Sequence, residues 1–398
     1  MKRVVLWVAL AAVAATGRGA AEFEILPLVD EGDWNSRYDI ESPTGMVQTL
    51  EEILKVHPTT ILWRDKAAGR CWIPSREERS PYGEHPLDKR LIPCCGSFGY
   101  LRLDRTGFAT IPLMREEGLK RGVGFGLHTG YEENHQIPCS EPNWNLMHPE
   151  FACRIRSGMP RLACVSLAFP EVRAHKLRFL DDRLALKPEI VFLDLHRAGG
   201  WSVDLEDVRP VCDRWRAKYG CEPPENAKDP RWIALCSEDV MDYLRTFGAK
   251  CRTAGTRFLF GIQKVEIGYD YMWERYGIDW KRLAQEGAID GLVVMGVKPD
   301  ANCAFESTKE ILSYVRANSG TVKMYFQASS YRSNNGFNNY KDWTKLDTVT
   351  CMKRMIAIAK EVGCSGVILE CVDPGHYAPQ HCEVLKEAYE GRKIEGSF

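Results

Sequence analysis

Apolar residues recur along this chain in two alternating patterns. Short, nearly continuous apolar runs stand at 23–29, 59–63, 122–128, 190–195, 257–262, 291–295, 322–326 and 366–369. Between them lie segments whose apolar positions repeat at helical spacing, over 45–56, 108–121, 171–186, 232–251, 280–286, 308–317 and 347–362. In the first of these, Met46, Leu50, Ile53 and Leu54 share one face. A last helical segment, 382–389, closes the chain. Strand and helix thus alternate eight times, with no run of hairpin signals. Alternation of this kind implies a parallel sheet covered by helices. Strands apolar on both faces are those of a sheet buried on both sides. Eight pairs suit a closed (β/α)8 (TIM) barrel better than an open doubly wound sheet. No Gly-x-Gly-x-x-Gly opens a helix after the first strand, which argues against dinucleotide binding.

The N-terminus changes the picture. Lys2 and Arg3 precede an apolar run from Val4 to Ala15, and small residues follow to Ala21. This is the order of a secretory signal, with cleavage expected near Ala20 or Ala21. Residues 1–21 are therefore read as a signal peptide and 22–398 as one barrel domain. The apolar run is short for a membrane span. The expected location is outside the cytoplasm, secreted or periplasmic in a bacterium, without stable membrane insertion. The formal net charge of −1 gives no sign of a nucleic-acid partner. Export permits disulfides, and the 15 cysteines leave at least one unpaired within the chain. Cys164, Cys251 and Cys364 lie in apolar contexts, where a buried thiol is as reasonable as a bridge. No Cys-x-x-Cys, His-x-His or His-Glu-x-x-His spacing occurs, so neither a metal nor another cofactor is expected.

In such a barrel the chemistry sits at the C-terminal ends of the strands. Asp194 follows four apolar residues at the end of the fourth strand, and Glu370 ends the eighth. Strands four and eight lie across a barrel from one another, so these carboxylates can face each other. Glycoside hydrolysis commonly uses such a pair, one as acid and the other as nucleophile or base. Glu266, in the loop after strand five, is a rival for the second place. Trp63, Arg64, His128, His196, Arg197, Lys264, Gln327 and Tyr377 fall at strand ends or just beyond and are the expected substrate-binding residues. Aromatic faces such as Trp63, Tyr325 and Tyr377 suit pyranose rings. Arginine forks match carboxylate and sulfate. An anionic sugar, bearing uronate, sialate or sulfate, is therefore expected.

Four segments carry a resemblance. Val165-Ser-Leu-Ala-Phe-Pro-Glu-Val-Arg173 leads by a helix into Pro188-Glu-Ile-Val-Phe-Leu-Asp-Leu-His-Arg197. Tyr276-Gly-Ile-Asp-Trp280 and Glu286-Gly-Ala-Ile-Asp-Gly-Leu-Val-Val-Met295 follow. Together, over roughly 140–300, they resemble the family-10-like hypothetical glycoside hydrolases of bacterial (β/α)8-barrel proteins. That resemblance implies the barrel fold and glycosidase activity. It matches Asp194 to the group's fourth-strand Asp and Arg197 to its following Arg. The chain departs from well-known retaining barrels, which show Asn-Glu where this sequence has Asp194-Leu195. A carbohydrate-binding barrel without catalysis, a polysaccharide lyase and a metal-dependent hydrolase are the alternatives.

Overall fold

The computed structural model describes residues 23–29, 42–67, 70–71, 73–75, 77, 109–132, 144–145, 148–154, 160–198, 203, 209–297, 305–328, 348–370 and 379–391. Eight parallel strands close into a barrel: β1 (Glu24–Val29), β2 (Thr60–Arg64), β3 (Gly124–Glu132), β4 (Ile190–Ala198), β5 (Arg257–Gln263), β6 (Gly291–Met295), β7 (Lys323–Ala328) and β8 (Gly366–Leu369). Each strand pairs with its neighbour in sequence, and β8 returns to β1 through Glu24↔Gly366 to Pro27↔Leu369. The protein is therefore a (β/α)8 barrel, as the alternation of apolar runs predicts.

Around it lie α1 (Pro43–Leu54), α2 (Thr110–Lys120), α3 (Pro170–Ala185), α4 (Arg209–Tyr219), α5 (Pro230–Thr253), α6 (Tyr271–Tyr276), α7 (Trp280–Gln285), α8 (Glu306–Asn318), α9 (Thr348–Val362) and α10 (Pro379–Tyr389). The helix starts have local causes. Ser42 accepts from the Gly45 amide at 3.1 Å and Pro43 takes the first turn of α1. Asp229 and Pro230 do the same for α5. Two two-stranded ribbons, Lys66–Ala67 with Arg70–Cys71 and Ala152–Arg154 with Pro160–Val165, were not predicted, nor were α4 and α6. α4 packs on α5 around Trp215 and Trp232, a small cluster of its own.

Apolar side chains divide between two shells. Leu26, Leu28, Leu62, Ile190, Phe192, Leu259, Val293, Met295, Tyr325 and Ile368 fill the barrel interior. The alternate strand residues, Ile25, Ile61, Trp63, Leu127, Val191 and Phe260 among them, join the helix faces in the larger outer core. Inward glycines make room for the large side chains. A Cβ on Gly261 would stand 2.7 Å from Met295 Sδ, and one on Gly126 2.6 Å from Leu62 Cδ2.

Trp63 is a correction. It lies in the outer core, 1% exposed, on the helix side of β2 and not on the side of the barrel mouth. Tyr325 is another: it is buried inside the barrel and bonded to Glu24 at 3.2 Å. Two of the three cysteines in apolar contexts, Cys251 and Cys364, are free buried thiols, and burial pushes each up to about 12. No helix among the described residues is long and apolar enough to cross a membrane. Residues 1–21 lie outside the described residues.

Candidate active site at the barrel mouth

Side chains alternate between the two sides of a strand, so the inner cluster fixes which residues toward the C-terminal ends of the strands point inward. Two positions beyond Leu62 is Arg64, and two beyond Phe192 is Asp194. The same count from Gly126, Tyr325 and Ile368 reaches His128, Gln327 and Glu370. Gln263 closes β5 in the same register, beside Met295 of β6. These residues form a polar ring at the C-terminal end, directly above an apolar barrel interior.

β2, β3 and β4 are neighbours, and Arg64↔His128↔Phe192 is one continuous register. His128 stacks on Phe192 with centroids 5.2 Å apart. Its Nε2 lies 3.3 Å from Asp194 Oδ2. His128 and Arg64 are each 1% exposed and Asp194 is 3% exposed, so this corner of the mouth is screened from bulk water. Electrostatic interactions there are worth more than at an open surface. His128 Nδ1 is buried and has no hydrogen-bond partner among the described residues. Register on β4 slips between Gly130 and Glu132 of β3, a bulge of the sort that re-aims side chains beside sites.

Outside the wall, a second network holds the same strand ends. Arg183 of α3 donates from Nε to Asp65 Oδ2 and from Nη2 to Thr129 Oγ1, both at 2.5 Å. The Asp65 amide donates to the His128 carbonyl at 3.1 Å. Asp65 is wholly buried and Arg183 stacks over the Phe179 ring at 3.7 Å. The backbone of His128 is thereby clamped from behind. Sequence reading missed Arg183, although a signal exists. It falls on the buried stripe of α3 with Val172, Phe179 and Leu180, where an unpaired charge is costly.

Several expected residues are placed differently. Glu370 belongs to the inward ring, half-buried, with its amide continuing the ladder to the Ala328 carbonyl at 2.9 Å. Glu266 is exposed on the loop after β5, bridged to Tyr269, and is not in that ring. Lys264 is exposed too, in a left-handed conformation (φ 50°), with Nζ 4.7 Å above the Tyr271 ring. Gln263 donates to the Tyr276 hydroxyl at 3.2 Å and ties β5 to α6. Gln327 is 5% exposed within the ring. His196 and Arg197 fall on the last residues of β4, but their side chains, like the whole of Tyr377, lie outside the described residues. Among the described residues no group of His, Cys, Asp and Glu could hold a metal ion.

No family model matches the chain. No curated protein matches it either. Solved structures do. The glycoside hydrolase domain of PgaB (BpsB) from Bordetella bronchiseptica is similar with a TM-score of 0.56 at 11% identity, covering 94% of this chain and 98% of that one. Alpha-L-fucosidase isoenzyme 2 from Paenibacillus thiaminolyticus is similar at 0.53 and 13% identity, covering 93% of this chain and 49% of that one. This chain therefore spans about half of that fucosidase's length. A class V chitininase from Pseudomonas fluorescens Pf-5 is similar at 0.50 and 11% identity, covering 92% and 99%. At such identities the likeness is one of fold, and the fold it shows is the (β/α)8 barrel.

Proposed function

We propose that this protein is a secreted glycoside hydrolase acting on a poly- or oligosaccharide that bears anionic groups. The observation that carries the reading is the pair Asp194 and Glu370. Asp194 lies on the inward register of β4 and Glu370 directly follows β8 in the same count, and these strands stand four apart either way around the barrel. Asp194 serves as nucleophile or base, and Glu370 as proton donor. Arg64 supplies a fixed guanidinium for a carboxylate or sulfate group on the sugar. Further support comes from the similar structures, which include a fucosidase, a chitininase and a glycoside hydrolase domain.

The test is release of reducing ends from neutral, uronic and sulfated polysaccharides by the purified mature protein. Release from one class, lost in Asp194→Asn, supports the reading and names the substrate class. Equal action on neutral and anionic substrates removes the anionic part. Retained binding with no release from any substrate favours a carbohydrate-binding barrel. N-terminal sequencing of exported protein tests secretion, with a start at residue 21 or 22 expected.

A further inference from the structure

The His128–Asp194 contact has an asymmetry that the pairing of carboxylates leaves unused. An ionised carboxylate only accepts hydrogen bonds, so the 3.3 Å contact places the shared proton on His128 Nε2. The other ring nitrogen is then a bare acceptor. A second proton on Nδ1 would create a buried N–H with no acceptor, because none is in reach among the described residues. Arg64, the register partner of His128 on β2, brings donors and no acceptor. A buried polar atom without a partner costs stability, and such atoms in native sites call for an explanation.

We propose that His128 has two roles on its two nitrogens. Nε2–H holds the reacting oxygen of Asp194, and Nδ1 accepts a hydrogen bond from a hydroxyl of the sugar on which Asp194 acts. The imidazole is fixed for this by stacking on Phe192 and by the backbone clamp through Asp65. Stacking leaves the ring edge as its polar part, so both nitrogens lie in the plane that the sugar must share. The hydroxyl supplies the partner that the free site lacks. Substrate binding and the alignment of Asp194 thereby become one event. A sugar lacking that hydroxyl leaves Nδ1 unsatisfied, the circumstance in which polar sites discriminate most strongly.

The identity of the entering ligand rests on the glycosidase reading, whereas the tautomer does not. The experiment therefore begins with the full mature protein carrying 15N-labelled histidine. Long-range proton–nitrogen correlation spectra report the protonation of each ring nitrogen. His128 is assigned among the nine histidines by the signal missing in His128→Gln. The expected result is an Nε2–H tautomer with unprotonated Nδ1, whose shift moves when cello-, xylo-, chito- or pectin-derived oligosaccharides are added. A protonated Nδ1, or a bare Nδ1 unmoved by every saccharide in that panel, overturns the proposal. The reducing-end assay separately decides whether the protein is a glycosidase.

Kinetics gives the second arm. His128→Gln puts an amide nitrogen where Nε2 stood but offers no acceptor at the Nδ1 position. KM should rise about 3- to 10-fold, the value of one net hydrogen bond, with kcat nearly kept. His128→Asn keeps a polar atom near Nδ1 and loses the contact with Asp194, so kcat should fall instead. Equal losses of kcat in the two variants overturn the division of roles. Monodeoxy substrates should erase the KM difference for the one hydroxyl that Nδ1 receives.

Discussion

The two ends of the barrel place polar side chains on the same inward register and use them in opposite ways. At the N-terminal end Glu24 of β1 takes a forked pair of hydrogen bonds from Arg257, at 3.0 and 2.9 Å, and another from Lys323 at 2.5 Å. Tyr325 donates to the same carboxylate and receives from Arg257 at 3.1 Å. Each polar group there has a partner on a neighbouring or facing strand. At the C-terminal end a buried nitrogen of His128 has no partner among the described residues, and acids stand on β4 and directly after β8, across the barrel. One end is a satisfied plug that stabilises the barrel. The other holds one buried ring nitrogen, His128 Nδ1, with no hydrogen-bond partner among the described residues. Polar residues inside a barrel are therefore not a mark of function in themselves, and unmet bonding capacity distinguishes the two ends.

The contrast can be broken from either side. The largest expected effect is at the mouth. Asp194→Asn should lower turnover by about 10²–10⁴-fold, the usual worth of a positioned acid or base, while leaving thermal unfolding almost unchanged. A large loss of stability would instead make Asp194 part of the scaffold. Next, Arg183→Met strands the wholly buried Asp65 carboxylate and should cost about 3–5 kcal/mol in urea unfolding. Activity should fall with it, because His128 loses its clamp. At the plug, Glu24→Gln should cost about 2 kcal/mol, since it weakens hydrogen bonds to charged donors that are themselves partly exposed. In the reducing-end assay its kcat should match that of the unsubstituted protein.

The pH dependence of the plug sharpens the same point. Burial alone would raise the Glu24 carboxyl, but Arg257 and Lys323 outweigh it and hold the group below the usual carboxylate range. A carboxyl lowered on folding adds stability above its unfolded value, near 4.5, and loses it as pH falls through the still lower folded value. The melting-temperature gap between native protein and Glu24→Gln should thus be full at neutral pH, begin to shrink as pH falls below 4.5 and close only through the still lower folded value. A gap independent of pH would mean that packing, not charge, holds the plug. The smallest effect concerns the thiols. Among the described cysteines, exposed Cys221 should alkylate at neutral pH while Cys251 and Cys364, pushed up to about 12 by burial, stay unmodified in the native state, as peptide mapping would reveal.

Much of the scaffold is legible in the chain because strands buried on both faces are written as unbroken apolar runs. The predicted bounds of β6 and β8 agree with the structure to the residue. The same feature hides which side each residue faces. In Thr60-Ile-Leu-Trp-Arg64 both alternate sets are apolar or long, so Trp63 reads as a mouth residue although it packs under the helices. The acids at strand ends were visible, because a carboxylate closing an apolar run is conspicuous. That Glu266 stands on the loop after β5 was visible as well, and the structure adds that it is exposed there and bridged to Tyr269. The α4 helix was missed because its apolar face is narrow, essentially Val211, Cys212 and Trp215.

The sequence by itself determined the alternation of strand and helix, the closure of eight strands and the acids that follow the apolar runs of β4 and β8. These follow from local spacing of apolar and polar residues, which the chain carries in one dimension. Only the tertiary structure decided that His128 meets Asp194, that Arg183 reaches Asp65 and Thr129 from behind, and that Glu24 is satisfied across the barrel by residues 233 and 299 positions away. Such contacts depend on strand register and on which face each side chain takes. Both are set cooperatively by closing and packing the barrel, so no window of sequence contains them.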